Sequence, residues 1–372
     1  MSIRLVAFDL DGTLIRGRNS LTVVADALHR PEWEQQMEIL YMRGETPEQM
    51  RERVAQHPAL SGWEPGRGGP GDPPPVTVPG PAETPPVDPE GLPGPVSDPM
   101  ATPDPASYDR AAFIAEFYDH VIPYAIRPDV RFYVDMAREG GGPVLELGCG
   151  TGRVLIPTAR TGIDIVGFDS SEHMLQRCRS RLQAEPPAVR ARVRLHRGDM
   201  RNFDLGRTFR LVTIPFRPFQ HLLTVGEQLA CLAAIRRHLG PDGRLVFDVF
   251  NPSIHNLAKP IDGAETDEEP PFTLPDGRTV IRRHRMLERD LAGQVNRGEL
   301  IYDVTHPDGQ QERLVHPIQM RCIFRFEAEH LLARAGFALD HVYADFDRSA
   351  YGSRYPGDLV FVARLSAGLG RA

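Results

Sequence analysis

The hydrophobic positions of this chain fall into three zones. Residues 1–60 mix apolar and charged positions, residues 61–107 are dominated by Pro, Gly, Asp, Glu and small residues, and residues 108–372 return to regular apolar runs. The middle zone cannot bury enough apolar surface to offset the entropy of ordering it. We therefore expect a small N-terminal α/β fragment, a disordered linker and a folded C-terminal domain.

The third zone alternates short apolar runs with stretches of helical period. The runs predict strands at Pro143–Leu147, Asp164–Phe168, Val193–His196, Phe209–Ile214 and Arg244–Val249. Helices are predicted up to Arg160, over about Ser171–Leu182 and over about Val225–Leu239. This order indicates an α/β fold with a mainly parallel sheet and helices on both faces. Pro241-Asp242-Gly243 predicts a turn before the fifth strand.

The rhythm changes after Asn251. Residues 252–318 contain alternating runs separated by Pro-Asp-Gly turns, and the runs are Thr279–Arg285, Gln294–Thr305 and Gln311–His316. This pattern predicts an antiparallel β insertion. A helix over about Arg325–Ala335 is followed by predicted strands Leu339–Phe346 and Asp358–Leu365, which would give the sheet an antiparallel edge.

Composition narrows the class of protein. Hydrophobic residues make up 41% of the chain, charged residues 25%, and the net charge is −7. No apolar run spans a bilayer, the N-terminus does not resemble a secretion signal, and the four cysteines form no C-x-x-C pair. The basic residues are scattered. We therefore expect a cytoplasmic protein with reduced thiols that binds small molecules and neither nucleic acid nor membrane.

A glycine-rich loop follows the first predicted strand. Gly148, Gly150 and Gly152 allow a tight turn at which backbone amides can approach a cofactor. Asp169 ends the next strand, where a carboxylate can accept both ribose hydroxyls, and Asp199 follows the third strand. A nicotinamide-binding loop would instead read G-x-G-x-x-G, and a turn without a ligand is a further interpretation.

Several segments together resemble the class I S-adenosylmethionine-dependent methyltransferases over about residues 108–372. They are Val144–Val154, Gly167–Ser171 with Met174-Leu175, Gly198–Met200 and Phe247–Phe250. The resemblance implies a Rossmann-like sheet of seven strands and the cofactor S-adenosyl-L-methionine. It also implies that the three glycines hold the methionine part, that Asp169 holds the ribose and that Asp199 holds the adenine.

The resemblance gives supporting roles to three further residues. Met200 would pack near the adenine ring, and Glu146 would support the loop from the first strand. Tyr118 would touch the methionine carboxylate, although a packing role explains a tyrosine there equally well.

The methyl acceptor is harder to identify, because methyl transfer depends mainly on positioning. We expect a nitrogen or oxygen nucleophile of a small molecule. His221, after the fourth strand, is a candidate catalytic base, with capping of the next helix as the alternative. Arg321 and Arg325 would meet an anionic substrate or lie on a solvated face. A non-catalytic cofactor-binding module, with a sheet edge closed to acceptors, is a further alternative. The oligomeric state stays open.

The N-terminal zone contains a second motif. Asp9-Leu10-Asp11-Gly12-Thr13 follows an apolar run and resembles the first motif of the haloacid-dehalogenase-type phosphohydrolases. The resemblance implies that Asp9 attacks phosphorus, that Asp11 acts as acid and base, and that both help to hold Mg²⁺. About sixty residues cannot supply the other strands of that fold, and Lys259 is the chain's only lysine. We expect a truncated fragment, with a Mg-dependent phosphohydrolase as the alternative function.

Overall fold

The computed structural model describes Tyr108, residues 111–121, Tyr124 and residues 127–366. The predictions for residues 1–60, including Asp9 and Asp11, and for the linker 61–107 lie outside the described residues. The domain predicted from residue 108 onward contains all the elements below.

The domain is built on a sheet of seven strands. They are β1 Val144–Leu147, β2 Ile165–Asp169, β3 Val193–Arg197, β4 Phe209–Ile214, β5 Leu239–Phe250, β11 Phe337–Tyr343 and β12 Asp358–Leu365. Their order is β11-β12-β5-β4-β1-β2-β3. The pairs from β3 to β5 are parallel, whereas β12 is antiparallel to both β5 and β11. The predicted α/β class and antiparallel edge are confirmed.

Helices cover both faces of this sheet. They are α1 Ala112–Phe117, α2 Asp129–Gly140, α3 Leu155–Arg160, α4 Glu172–Gln183, α5 Pro187–Arg190, α6 Val225–His238, α7 Ile254–Leu257 and α8 Arg325–Arg334. Helix α6 begins with a capping box, in which Thr224 and Glu227 satisfy each other's backbone amides.

Side chains of β1 alternate between two cores. Leu145 and Leu147 join one apolar cluster with residues of β4 and β5, whereas Val144 joins a second cluster on the opposite face. Glu146 therefore points to the same face as Val144, toward α3. This alternation decides where a buried carboxylate of the first strand lies.

The fifth strand begins earlier than the sequence predicts. It starts at Leu239, which pairs with Phe209 of β4. The register then shifts, because Leu211, two residues further along β4, pairs with Arg244. The predicted Pro-Asp-Gly turn is therefore a bulge within the strand.

The insertion forms a separate antiparallel sheet. Its strands are β6 Glu265–Asp267, β7 Phe272–Thr273, β8 Thr279–Asp290, β9 Val295–Thr305 and β10 Gln311–Arg321. Strands β8 and β10 extend five residues beyond the predicted ends, so the predicted insertion limit of 318 is too short. The extension follows from continuous pairing with β9, which runs to Asp290 and Arg321.

Helix α1 packs between the insertion and helix α4. Phe117 contacts the rings of Phe272 and Tyr302 of the insertion, and the same apolar cluster includes Met174 of α4. The insertion and α1 therefore lie together over α4.

The edge strand β11 lies earlier in the chain than the sequence predicts. It was predicted at Leu339–Phe346 and is observed at Phe337–Tyr343, because its pairing with β12 begins directly after Gly336.

Replacing Gly167 with alanine should destabilise the domain by about 1–3 kcal/mol, because an added methyl would overpack the core. An ideal Cβ there lies 2.8 Å from Leu195 Cδ2 and 2.9 Å from Cys149 Sγ. Urea unfolding measures the change. Gly226→Ala is the control, since its nearest neighbour is Thr224 Oγ1 at 3.9 Å. Equal losses in both variants would contradict the packing argument.

Candidate functional site

The glycine-rich loop turns sharply between β1 and α3. Gly148, Gly150 and Gly152 have φ values of +70°, +53° and +83°, in the left-handed region that favours glycine. The amides of Gly148 and Cys149 both donate to the carbonyl oxygen of Phe168, at 2.8 and 3.2 Å. The loop is thereby fixed to the end of β2.

The three glycines face different surroundings. An ideal Cβ at Gly148 would lie 2.6 Å from Pro218 Cγ, and one at Gly152 would lie 2.7 Å from Cys178 Sγ. At Gly150 the Cβ position has no heavy atom within 4 Å. Gly148 and Gly150 line a cavity, whereas Gly152 packs beneath the loop.

Asp169 joins the loop to the second strand. Its Oδ2 accepts a hydrogen bond from the Gly150 amide and its Oδ1 accepts one from the Ser171 amide, both at 2.8 Å. Asp169 also lines the cavity. The predicted neighbours at the first two strand ends are therefore in direct contact.

Asp199 and Met200 lie on the same cavity wall after β3. Asp199 accepts hydrogen bonds from the amide and the guanidinium of Arg201, whose Nη2 is 2.5 Å from Oδ2. Burial acts to raise the pKa of Asp199, but these hydrogen bonds prevail and hold it below 3.8. The third strand end therefore presents an ionised carboxylate.

Glu146 lies behind the loop and does not line the cavity. Burial raises the pKa of Glu146 to about 8, while Arg153 and the Leu155 amide act to lower it. Its Oε2 has no hydrogen-bond partner within the described part of the chain. At neutral pH we expect a largely protonated carboxyl group on the core side of the loop. The supporting role predicted for Glu146 stays a prediction.

The cavity has a volume of about 980 Å³ and lies at the carboxyl ends of β1 to β4. This is the edge at which open α/β sheets bind ligands. The insertion contributes its opposite wall, through Glu268, Arg282, Leu300, Ile318 and Met320. The cavity extends from the glycine-rich loop to the insertion, so this edge of the sheet has space for a second ligand beside a cofactor. A module that only binds the cofactor would not need that space.

Tyr118 belongs to an aromatic wall of the cavity. Its ring centroid is 5.0 Å from that of Tyr124 and 6.4 Å from that of Phe216. Burial raises the pKa of Tyr118 above its ordinary value, so its phenol stays protonated. Both predicted roles, ligand contact and packing, are compatible with this position.

His221 lies on the cavity wall and is held by the insertion rather than by capping the next helix, which Thr224 caps. Its Nδ1 is 3.0 Å from the carbonyl oxygen of Gln319. Because a carbonyl only accepts, Nδ1 carries the hydrogen, and Nε2 is the acceptor nitrogen of the neutral ring. The neighbouring Gln220 donates to the Arg321 carbonyl at 2.7 Å and accepts from the Phe250 amide at 2.9 Å.

Two residues in left-handed conformations form the next part of the wall. Phe216 and Arg217 have φ values of 68° and 71°, which costs conformational energy for residues other than glycine. The Phe216 amide donates to Oδ1 of Asp248 at 2.8 Å, and Arg217 pairs with Asp358 at 2.6 Å.

Asp248 is fully buried at the centre of this arrangement. Tyr133 donates its hydroxyl to Oδ1 at 2.6 Å, and Arg127 lies 3.6 Å from Oδ2. Burial raises the pKa of Asp248 to about 6, although Arg127 acts to lower it. An acidic residue within the apolar run Phe247–Phe250 was the available sequence signal.

Arg127 links the network to the aromatic wall. It pairs with Asp358 at 2.8 Å and with Asp129 at 3.3 Å, and its guanidinium lies 5.1 Å from the Phe216 ring centroid. Asp129 also accepts two hydrogen bonds from Arg153, at 2.6 and 2.7 Å.

The two arginines predicted to meet an anionic substrate lie away from the cavity wall. Arg321 donates to the Leu223 carbonyl at 3.0 Å and pairs with Glu327 at 3.0 Å, and Arg325 pairs with Glu329 at 3.2 Å. These contacts hold Arg321 and Arg325 at the junction of β10 and α8.

Membrane-spanning helices and metal-binding clusters are both absent from the part of the chain that the structure describes. No helix there combines the length and the apolar composition of a membrane span. The same residues contain no group of three or more His, Cys, Asp or Glu side chains arranged to hold a metal ion.

Comparison with known proteins identifies relatives. Residues 144–243 match the family model described as a methyltransferase domain. The chain is 31% identical over 201 residues to dTDP-3-amino-3,4,6-trideoxy-alpha-D-glucopyranose N,N-dimethyltransferase of Streptomyces venezuelae, covering 54% of this chain and 76% of the relative. It is 34% identical over 206 residues to the dTDP-3-amino-3,6-dideoxy-alpha-D-glucopyranose N,N-dimethyltransferase of Streptomyces fradiae, covering 54% and 74%.

Solved structures of methyltransferases are also similar to this chain. The CcbJ methyltransferase of Streptomyces caelestis matches with a TM-score of 0.56 and 28% identity, covering 68% of this chain and 96% of that one. CalS10, an amino pentose methyltransferase from Micromonospora echinaspora described as SAM bound, matches with a TM-score of 0.50 and 29% identity, over 68% and 96%.

Asp248→Asn should remove a pH-dependent contribution to stability. The folded-state pKa, about 6, exceeds the ordinary value of 3.8, so the folded chain binds this proton more tightly. Protonation of Asp248 thus stabilises the folded chain by about 3 kcal/mol below about pH 4, and this stabilisation is lost as the pH rises to about 6.

Denaturant unfolding at several pH values tests this. The stability of the unmodified chain relative to Asp248→Asn should decline across that window. Asp164→Asn, at an exposed acid, is the control. A constant difference for Asp248→Asn would contradict the burial argument.

Proposed function

The chain belongs to the S-adenosylmethionine-dependent methyltransferases, and we propose that it transfers the methyl group to an amino nitrogen of a small molecule. The observation that carries the acceptor proposal is that His221 lines the same cavity as Gly150 and Asp169. The naming of the S. venezuelae and S. fradiae relatives as N,N-dimethyltransferases supports nitrogen over oxygen.

The rim residues fit the cofactor. Gly150 leaves open space where a side chain would stand, and Asp169 and Asp199 are carboxylates at successive strand ends. We propose that Asp169 accepts the ribose hydroxyls, that Asp199 accepts the adenine amino group, and that Met200 packs against the ring. Gly148, Gly150 and Tyr118 contact the methionine part, while Gly152 and Glu146 support the loop. When bound, the cofactor supplies a methyl group already activated on a sulfonium.

The chain's contribution to the reaction is positioning and proton transfer. Nε2 of His221 takes a proton from the acceptor ammonium, and Nδ1–H remains bonded to the Gln319 carbonyl. The nitrogen lone pair released in this way would accept the methyl group that the bound cofactor would supply. Tyr118, Tyr124 and Phe216 exclude water from this region.

The haloacid-dehalogenase resemblance of residues 1–60 stays a prediction of the sequence. So do the phosphohydrolase activity through Asp9 and Asp11, the exclusion of nucleic acid and membrane as partners, and the cytoplasmic location.

Asp169→Ala should weaken binding of S-adenosylmethionine about tenfold to a hundredfold, because charged hydrogen bonds to the ribose are lost. Isothermal titration calorimetry measures this. Asp164→Ala removes an exposed acid at the other end of β2 and should leave the affinity unchanged. Unchanged binding in Asp169→Ala would reject the ribose assignment.

His221→Gln should lower kcat for amine methylation by about a hundredfold or more, because the proton acceptor is lost. Affinity for S-adenosylmethionine should not change. His330→Gln, at an exposed site on α8, is the matched control. If kcat of His221→Gln stayed normal, the base assignment would be wrong.

A further inference from the structure

The arginines that line the cavity are held by carboxylates. Arg201 pairs with Asp199 and Glu227, both at 2.5 Å, and Arg217 pairs with Asp358 at 2.6 Å. Arg127 pairs with the same Asp358 at 2.8 Å. An arginine paired in this way has its charge largely offset by the protein, although Nε and Nη2 of Arg127 make no hydrogen bond within the described residues.

Arg282, on the insertion, follows the same pattern. Its Nε and Nη2 donate to the two oxygens of Glu269 at 2.7 and 3.0 Å, and its Nη1 donates to the Tyr124 hydroxyl at 2.9 Å. Only 3% of the Arg282 side chain is exposed. Within the described residues, every arginine of the cavity wall therefore has a carboxylate partner.

The wall also presents acids of its own. Asp169, Asp199, Glu227 and Glu268 line the cavity, while Glu269, Asp358, Asp129 and Asp248 lie behind it as partners of arginines. Among the described residues, the wall therefore carries four acids and four arginines, and each arginine is ion-paired with an acid. A phosphate entering the cavity would have to compete with these carboxylates for every arginine.

Glu268 is the acid of the insertion that faces the cavity. Its Oε2 accepts a long hydrogen bond from Nη2 of Arg282, at 3.5 Å, and the same Nη2 donates to Glu269 at 3.0 Å. The Glu268 side chain is 39% exposed. Tyr124, whose hydroxyl accepts a hydrogen bond from Nη1 of Arg282, lines the same wall. A carboxylate and an aromatic ring therefore both face a ligand in the cavity.

We propose that the acceptor is a cationic amine that carries no phosphate, and that Glu268 binds its ammonium or hydroxyl hydrogens. The proposal deepens the proposed function and rests on it. It separates this chain from the S. venezuelae and S. fradiae relatives, whose names specify sugars bearing a nucleoside diphosphate. A diphosphate would need cations that the carboxylates of this cavity already occupy, whereas an ammonium group would find an acid.

A matched pair of ligands tests the substrate class. The full chain, saturated with S-adenosylhomocysteine, is titrated with dTDP-3-amino-3,4,6-trideoxy-α-D-glucopyranose and with the methyl glycoside of the same amino sugar. The methyl glycoside should bind at least about tenfold more tightly than the dTDP sugar, because it lacks a diphosphate that would have to compete with carboxylates for paired arginines. Equal or tighter binding of the dTDP sugar overturns the proposal, and so does the absence of binding by both.

A second experiment tests Glu268. Glu268→Gln should raise KM for the methyl glycoside about tenfold, with a smaller change in kcat, because a charged hydrogen bond to the acceptor is lost. Glu288→Gln changes an exposed acid of β8 outside the cavity wall and should leave KM unchanged. An unchanged KM in Glu268→Gln overturns the assignment.

Cofactor affinity keeps the two proposals distinguishable. Both Glu variants should bind S-adenosylhomocysteine as the unmodified chain does, which also confirms that they fold. If the amine is methylated but the dTDP sugar is preferred, the inference fails and the proposed function stands. If no amine is methylated by a chain that binds the cofactor, the proposed function itself fails.

Discussion

The buried carboxylate of Asp248 fixes the wall on which the acceptor side of the cavity depends. It receives the Tyr133 hydroxyl from α2 and the Phe216 amide from the loop after β4. A carboxylate deprived of water must be compensated by hydrogen bonds and nearby cations, and Arg127 supplies the charge. Because the Phe216 amide is held in this way, the left-handed backbone of residues 216–217 persists. The Phe216 ring can then complete the aromatic wall with Tyr118 and Tyr124.

The cofactor side and the acceptor side of the cavity have different structural origins. The cofactor side is made by ends of parallel strands, where backbone amides and single carboxylates converge. The acceptor side is made where the insertion meets the loop after β4, and Gln319 and Arg321 hold His221 and Gln220 through backbone carbonyls. Changes in the insertion can therefore alter the acceptor while the cofactor contacts persist.

Much of the fold followed from the period of the apolar positions. Strand β4 was predicted residue for residue, and β1, β2 and β3 within one residue at either end, because each is a short apolar run bounded by turns. The start of β5 was missed because Pro241-Asp242-Gly243 has the composition of a turn, yet it is accommodated as a bulge beside β4. The ends of β8 and β10 were missed because pairing with β9 continues through charged positions.

The sequence by itself identified Gly150, Asp169 and Asp199 as the residues proposed to bind the cofactor, since they follow strand ends whose spacing is visible along the chain. Tertiary structure decided the rest. Asp248 lies more than a hundred residues from Tyr133, and Gln319 almost a hundred from His221. Glu268 and Glu269 share the guanidinium of Arg282, which lies on strand β8 of the insertion. Such pairings depend on burial and on how two sheets meet, which no local pattern of residue types specifies.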